Sequence, residues 1–164
     1  RGFHGILNSC TNYILGLMEN GESFEQAVSS AQAIGIAETD PSADIDGWDA
    51  AIKVSALSTA LMGIPLKPQE VTREGISAIT PQMLSEAHQA GERWKLVCTC
   101  RRLEDGLQAA VAPRRVPPGS PVIPRLLGFV RALAGGGPSP LTVLHVETVN
   151  GEPAPSSPWA PAMV

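Results

Sequence analysis

The sequence predicts an α+β fold. Two observations carry that expectation. Apolar residues recur at helical spacing, between good stop signals, through much of the first half of the chain. Two strand-like runs, 94–101 and 107–112, flank Asp105-Gly106, a strong hairpin signal. Helices mixed with hairpin strands are the α+β pattern.

The elements follow in order. Residues 11–18 predict a short helix closed by Asn20-Gly21. Ser23-Phe24-Glu25-Gln26 is a capping box, because Ser23 can accept from the backbone three residues on and Gln26 can reach back. The helix it opens runs to Ala33, with Phe24, Ala27, Val28 and Ala31 on its apolar face, and Gly35 ends it. A polar loop follows over 38–44, with Pro41 inside it. Asp46 is placed to cap a helix over 47–62, whose buried stripe is Ala50, Val54, Leu57 and Leu61. Gly63 and Pro65 stop it. Residues 70–76 read as a short strand. Thr80-Pro81 opens a further helix, with Thr as N-cap and Pro at the first position, and Gly91 closes it. The hairpin strands come next.

Composition sets the outer bounds. With 43% hydrophobic and 17% charged residues, most of the 164-residue chain should fold. A net charge of −4 argues against nucleic acid as a partner, since phosphate binding needs a basic surface. No run of about 20 apolar residues is present, so no membrane span is expected. Three cysteines, Cys10, Cys98 and Cys100, fit a reducing cytoplasm better than a disulfide scaffold. Cys98 and Cys100 should share one sheet face as small packed side chains. A metal reading would add His88, but the spacing suits a zinc site poorly, and no metal is expected.

The balance changes along the chain. Residues 1–100 carry twelve acids and six bases, whereas 101–164 carry four acids and six bases, all arginine. Eleven of the fifteen prolines lie from Pro113 onward, so 119–164 is expected to be a divergent Pro/Gly-rich tail, partly disordered. Within it only 139–149 reads as a possible strand. Gly135-Gly136-Gly137 lacks the Lys-Ser/Thr of a phosphate loop and reads as a flexible link.

The chemistry concentrates in 33–53, AIGIAETDPSADIDGWDAAIK. Five carboxylates (Glu38, Asp40, Asp44, Asp46, Asp49) precede Lys53. Asp49 and Lys53, four apart, share one helix face, and the preceding loop can fold back over the helix start. Read from the residues alone, three interpretations stay open. Asp near a helix N-terminus is ordinarily dipole-stabilised surface decoration. The group can also form a catalytic pocket. A divalent-cation loop is the third, although the regular spacing and terminal Glu of a calcium loop are missing.

The same stretch resembles the signature of the homoserine dehydrogenase family in Gly35, Asp40-Pro41, Asp44-Ile45, Gly47, Asp49 and Lys53, each in register. A second block, Gly5-Ile6-Leu7-Asn8-Ser9-Cys10-Thr11-Asn12-Tyr13-Ile14-Leu15, is similar to that family's Gly-Ile-Leu-Asn-Gly-Thr-Thr-Asn-Tyr-Ile-Leu. Glu74-Gly75-Ile76 matches a third. The resemblance covers residues 2–118 and marks 1–118 as the family's catalytic, substrate-binding domain; it implies a mixed β-sheet with helices packed on one face, a sheet that also forms a homodimer.

What the resemblance implies is NAD(P)-dependent interconversion of L-homoserine and L-aspartate 4-semialdehyde, on the route to threonine, methionine and isoleucine. The Glu38 position binds the substrate amino group. Asp49 binds substrate, and Asp44 supports the site. Lys53 delivers the proton to the carbonyl oxygen as hydride arrives, which is sound chemistry because that oxygen gains negative charge. Asn8, Ser9 and Cys10 fall on the cofactor side, NADP or NAD, with Ser9-Cys10 in place of the usual Gly-Thr. Ile36 stands where Tyr is frequent. No Gly-x-Gly-x-x-Gly fingerprint of a Rossmann domain occurs, and the chain begins with Arg, so a fragment that is inactive alone is expected. A non-catalytic dimerisation or amino-acid-binding module of the same fold is the alternative.

Overall fold

A computed structural model describes residues 2–104, 106–117, 120, 148–149 and 152–153. The chain forms two compact units, Arg1–Ser120 and Pro121–Val164. In the second, β5 (Thr148–Val149) pairs antiparallel with β6 (Glu152–Pro153). The rest of the predicted 139–149 strand, the glycine link, the disorder expected of the last residues and Asp105 of the hairpin lie outside the described residues.

The first unit is α+β, as the sequence predicts. Strand β1 (Gly2–Gly5) leads into α1 (Ser9–Glu19). Helix α2 (Phe24–Ala33) carries the predicted capping box: Ser23 Oγ accepts from Gln26 N–H, and Gln26 Oε1 accepts from Ser23 N–H. The short α3 (Ser42–Ile45) occupies the loop expected over 38–44. It forms because Asp40 accepts from the Ser42 N–H at 3.1 Å and Pro41 precedes its first turn. The Ser42 hydroxyl, then that N–H, hold the Asp40 carboxyl below its usual range. Helix α4 (Trp48–Leu57), β2 (Thr72–Arg73), α5 (Pro81–Gln89), β3 (Arg93–Arg102) and β4 (Leu107–Val116) follow.

The sheet order is β1-β3-β4-β2. Strand β1 runs antiparallel to β3, β3 and β4 form the expected hairpin, and β2 runs parallel to β4. Alternation sends Leu96, Cys98 and Cys100 of β3, with Ala109 and Val111 of β4, to one face. These join Ile14 and Leu15 of α1, Val54 of α4 and Leu84 of α5 in one core, so the helices cover that face. Cys98 and Cys100 are side by side and fully buried, as their spacing predicts.

The local reading needed correction in five places. Strand β1 has no strand signature of its own, since two of its four residues are glycine. It exists through its pairing with β3, Phe3 opposite Cys100. Helix α1 starts two residues before the predicted Thr11, because Asn8 caps it. Asp46 does not cap α4: Gly47 takes that position in the left-handed region at φ 78°, and the Asp46 carbonyl accepts from Arg73. The predicted 47–62 helix also widens at its end into a π-helical turn, Ser58–Met62. That wider turn advances the inward position by one residue. Leu61 is therefore left exposed, while Ser58 is buried and Met62 packs on the core at 3.8 Å from the Cys100 thiol. Of the predicted strand over 70–76 only Thr72–Arg73 pairs, because Glu70 closes a 3-10 turn (Pro68–Glu70) by accepting from the Lys67 N–H.

Burial has a consequence for the thiols. Cys10 and Cys98 are each pushed up to about 12, burial being the largest cause in both. At pH 8 neither should react with iodoacetamide until the chain unfolds. The folded state holds these protons above the ordinary thiol value of 9.0 and the unfolded state releases them. Stability should therefore be intact below pH 9 and fall as pH rises from there toward 12. Urea melts between pH 8 and pH 11 check this, and a flat profile would show that the thiols do not contribute.

Candidate active site

Three chain segments meet at the sheet end of α1. The link from β1 to α1 supplies Leu7 and Asn8, α3 supplies Asp44, and the first two turns of α4 supply Asp49 and Lys53. Asn8 is the hub. Its Oδ1 accepts from the Thr11 N–H at 2.8 Å and from the Thr11 hydroxyl at 3.0 Å. Its Nδ2 donates to Asp44 Oδ1 at 2.5 Å and to Asp49 Oδ2 at 2.9 Å. Lys53 Nζ donates to the same Asp49 Oδ2 at 2.6 Å and to the Leu7 carbonyl at 3.0 Å. The six residues form a continuous hydrogen-bonded chain from the buried helix cap to a half-exposed ammonium.

Local sequence explains each placement. Asn is a preferred N-cap, and its extended backbone at φ −132° aims the side chain at the first turn of α1. Asp49 lies in the first turn of α4, where the helix dipole favours a carboxylate, and Lys53 is one turn further on. Gly47 lets the chain reverse between α3 and α4, and an added Cβ there would stand 3.2 Å from Val111 Cγ1. Arg73 braces the same corner, its guanidinium 3.9 Å above the Trp48 ring.

The site is graded from buried to open. Asn8 and Cys10 are each 3% exposed, whereas the Lys53 side chain is 47% exposed and that of Asp49 34%. The Cys10 thiol faces inward. After burial, the Asp44 charge, a hydrogen bond to Asp44 and the Asp49 charge hold its proton on. Ser9, between these buried neighbours, is exposed. Glu38 is exposed as well, and among the described residues its carboxylate makes no hydrogen bond or ion pair; its backbone carbonyl accepts from Gln32.

The structure thus brings Asn8, Cys10, Asp44, Asp49 and Lys53 together, with Ser9 beside them. It does not join Glu38 to the network. The Leu7 carbonyl and Thr11 were missed from sequence, because a main-chain acceptor carries no side-chain signal and Thr11 read only as a helix start. The N-cap preference of Asn8 was a legible clue. Its bonds to Asp44 and Asp49, 36 and 41 residues away, were not.

An α+β lobe that presents one ammonium among carboxylates at a helix start has the polar groups that a small polar molecule would need. The chain belongs to the homoserine dehydrogenase family, whose model matches residues 1–125. It is similar to the NAD(+)-dependent homoserine dehydrogenase of Pseudomonas canavaninivorans, 43% identical over 69% of this chain and 32% of that protein. It is also similar to the homoserine dehydrogenase of Methanocaldococcus jannaschii, 44% identical over 72% of this chain and 34% of that protein. The S. aureus homoserine dehydrogenase structure at pH 7.5 superposes with a TM-score of 0.67 at 36% identity, over 70% of this chain and 30% of that one. The chain spans about a third of the length of the curated relatives it matches. No helix among the described residues is long and apolar enough to cross a membrane.

Proposed function

We propose that this chain is the substrate-side half of a homoserine dehydrogenase, interconverting L-homoserine and L-aspartate 4-semialdehyde in threonine, methionine and isoleucine synthesis in the cytoplasm. The observation that carries the reading is the half-exposed Lys53 ammonium, fixed by Asp49 and the Leu7 carbonyl at the mouth of the site.

Lys53 donates its proton to the substrate oxygen in the reducing direction and takes it back in the other. An ammonium held near a developing alkoxide also stabilises that charge. Asp49 keeps Nζ oriented and presents its second oxygen toward the substrate. Glu38, open and unpaired, takes the substrate ammonium group through a charge-assisted hydrogen bond. Asp44 supports Asp49 through their shared Asn8 donor.

A nicotinamide dinucleotide, NADP or NAD, supplies or accepts the hydride when bound. Of the three residues expected on the cofactor side, Ser9 is the exposed one and would be the one to meet it. Asn8 and Cys10 turn their polar groups inward. The dinucleotide phosphates call for a Gly-x-Gly-x-x-Gly turn, which this sequence does not contain, so the residues present would serve the nicotinamide end only. A homodimer through the sheet would use the face turned from the helices, where Thr99 and Ala110 are partly exposed.

Two measurements test this reading. The purified chain should not oxidise NADPH in the presence of aspartate semialdehyde, and should do so once a nucleotide-binding domain is joined to it. Turnover by the chain alone would refute the division of labour. Calorimetric binding of homoserine without turnover in the joined enzyme would instead favour an amino-acid-binding module.

A further inference from the structure

We infer that Asn8 is a positioning residue: its side-chain amide fixes the Asp49 carboxylate and, through it, the Lys53 ammonium. The inference rests on the functional reading of Lys53 given above and adds the device that holds it ready.

The amide has only one orientation available. The Thr11 backbone N–H can only donate, so the atom facing it must be Oδ1. Asp44 and Asp49 as carboxylates can only accept, so the atom facing them must be Nδ2. Each end of the amide therefore verifies the other. The oxygen is pinned to the first turn of α1 by two Thr11 donors, and the two N–H groups of Nδ2 are aimed at one oxygen on each acid.

That arrangement solves an electrostatic problem. Two carboxylates sharing a site repel. The neutral Asn8 amide bridges them, one N–H to each acid, and offsets part of that repulsion. Asp49 Oδ2 then serves two donors at once, Asn8 Nδ2 at 2.9 Å and Lys53 Nζ at 2.6 Å. Lys53 is a flexible side chain with nearly half its surface in water, and its other anchor is the Leu7 carbonyl. Leu7 and Asn8 are adjacent, so both anchors of the ammonium depend on the backbone that the α1 cap holds in place. The charged or titratable groups around Asn8 are Asp44 on α3, Asp49 and Lys53 on α4, and Cys10 on α1. Cys98 of β3 sits close enough to Lys53 and Asp49 to feel both charges.

Asn8→Asp separates positioning from folding. Asp is as good an N-cap as Asn, so the Thr11 contacts remain. The other arm changes from a double donor to an acceptor facing two acids. In the enzyme completed with a nucleotide-binding domain, kcat should fall at least tenfold with KM changed less than threefold. The acid limb of kcat/KM should move up by a pH unit or more, because three carboxyls now share a proton. The Lys53 Nζ resonance, followed by NMR in the chain itself, should lose its fixed environment. Asn8→Ser, which keeps the cap but cannot reach the acids, should also lower kcat without moving that acid limb. Unchanged kcat, pH profile and Lys53 resonance in folded Asn8→Asp would overturn the inference. So would a kcat loss in Asn8→Asp that Asn8→Ser does not share, because added charge alone would then explain it. If Asn8→Asp does not fold, Asn8→Ser decides through kcat and the Lys53 resonance. A fully active Lys53→Ala enzyme would instead remove the functional reading beneath it.

Discussion

Lys53→Ala is expected to lower kcat by about 10²–10⁴ in the completed enzyme, the usual range for losing a positioned general acid, and to leave folding almost untouched. The two halves of that expectation have separate causes. The side chain is 47% exposed, and its bond to Asp49 is a helical i,i+4 pair. Such exposed pairs contribute about 0.3–0.5 kcal/mol, so Tm should barely move. Chemistry loses much more, because no other ammonium among the described residues is bonded to Asp49. Lys53→Arg sharpens the test. It keeps a positive charge, but a guanidinium does not give up its proton at working pH. Activity should therefore remain low in Lys53→Arg. Recovery there would mean that charge alone suffices. Glu38→Ala should act differently, raising KM for the amino-acid substrate more than it lowers kcat. Steady-state kinetics with thermal melts distinguish these results, and a large stability loss in Lys53→Ala would favour a structural role.

Gly75→Ala should destabilise the unit strongly. Beyond β2 the chain passes directly over the corner between α3 and α4. Glu74 N–H bonds the Val111 carbonyl at 2.8 Å, and Ile76 N–H bonds the Ile45 carbonyl at 2.9 Å. A Cβ on residue 75 would collide with the Ile45 carbonyl oxygen and stand 2.9 Å from Asp46 Cα. Both obstacles are backbone, so no side-chain rotation relieves them. Forcing a methyl into a packed contact costs about 1–3 kcal/mol, which corresponds to a drop in Tm of roughly 4 °C per kcal/mol for a domain of this size. The displaced corner carries Asp44 and leads into Asp49, so kcat should fall as well. Gly16→Ala in α1 is the matched control. Nothing lies within 4 Å of its added Cβ, and the helix gains from alanine. It should hold or raise Tm. Equal losses in both variants would show that crowding at Gly75 is not the cause.

Local signals proved dependable where the physics is local. The Ser23–Gln26 capping box, the Thr80-Pro81 helix start and the β3–β4 hairpin all depend on residues within a few positions of each other, and each stands where its pattern placed it. Prediction failed where distant contacts decide. Strand β1 needs β3, roughly a hundred residues away, to supply its hydrogen bonds. The end of the α4 segment widens into a π turn that buries Ser58 rather than Leu61, and hydropathy alone gives no reason for it. Gly47 took the capping position from Asp46 because the chain must reverse tightly between α3 and α4 beneath Arg73.

The sequence by itself carried the family resemblance and the candidate site residues. The spacing Glu38–Asp44–Asp49–Lys53 is a chemical pattern written in one short stretch, and i,i+4 geometry on one helix already puts Asp49 beside Lys53. Only the tertiary structure decided what holds that pair. Asn8 lies 41 residues before Asp49, and a side chain that caps one helix shows no trace in sequence of bonding the start of another. It is the packing of α1 and α4 on one face of the sheet that closes that distance. That packing turns a surface-type ion pair into one end of a buried hydrogen-bond network, because the amide oxygen is fixed first by the helix it caps.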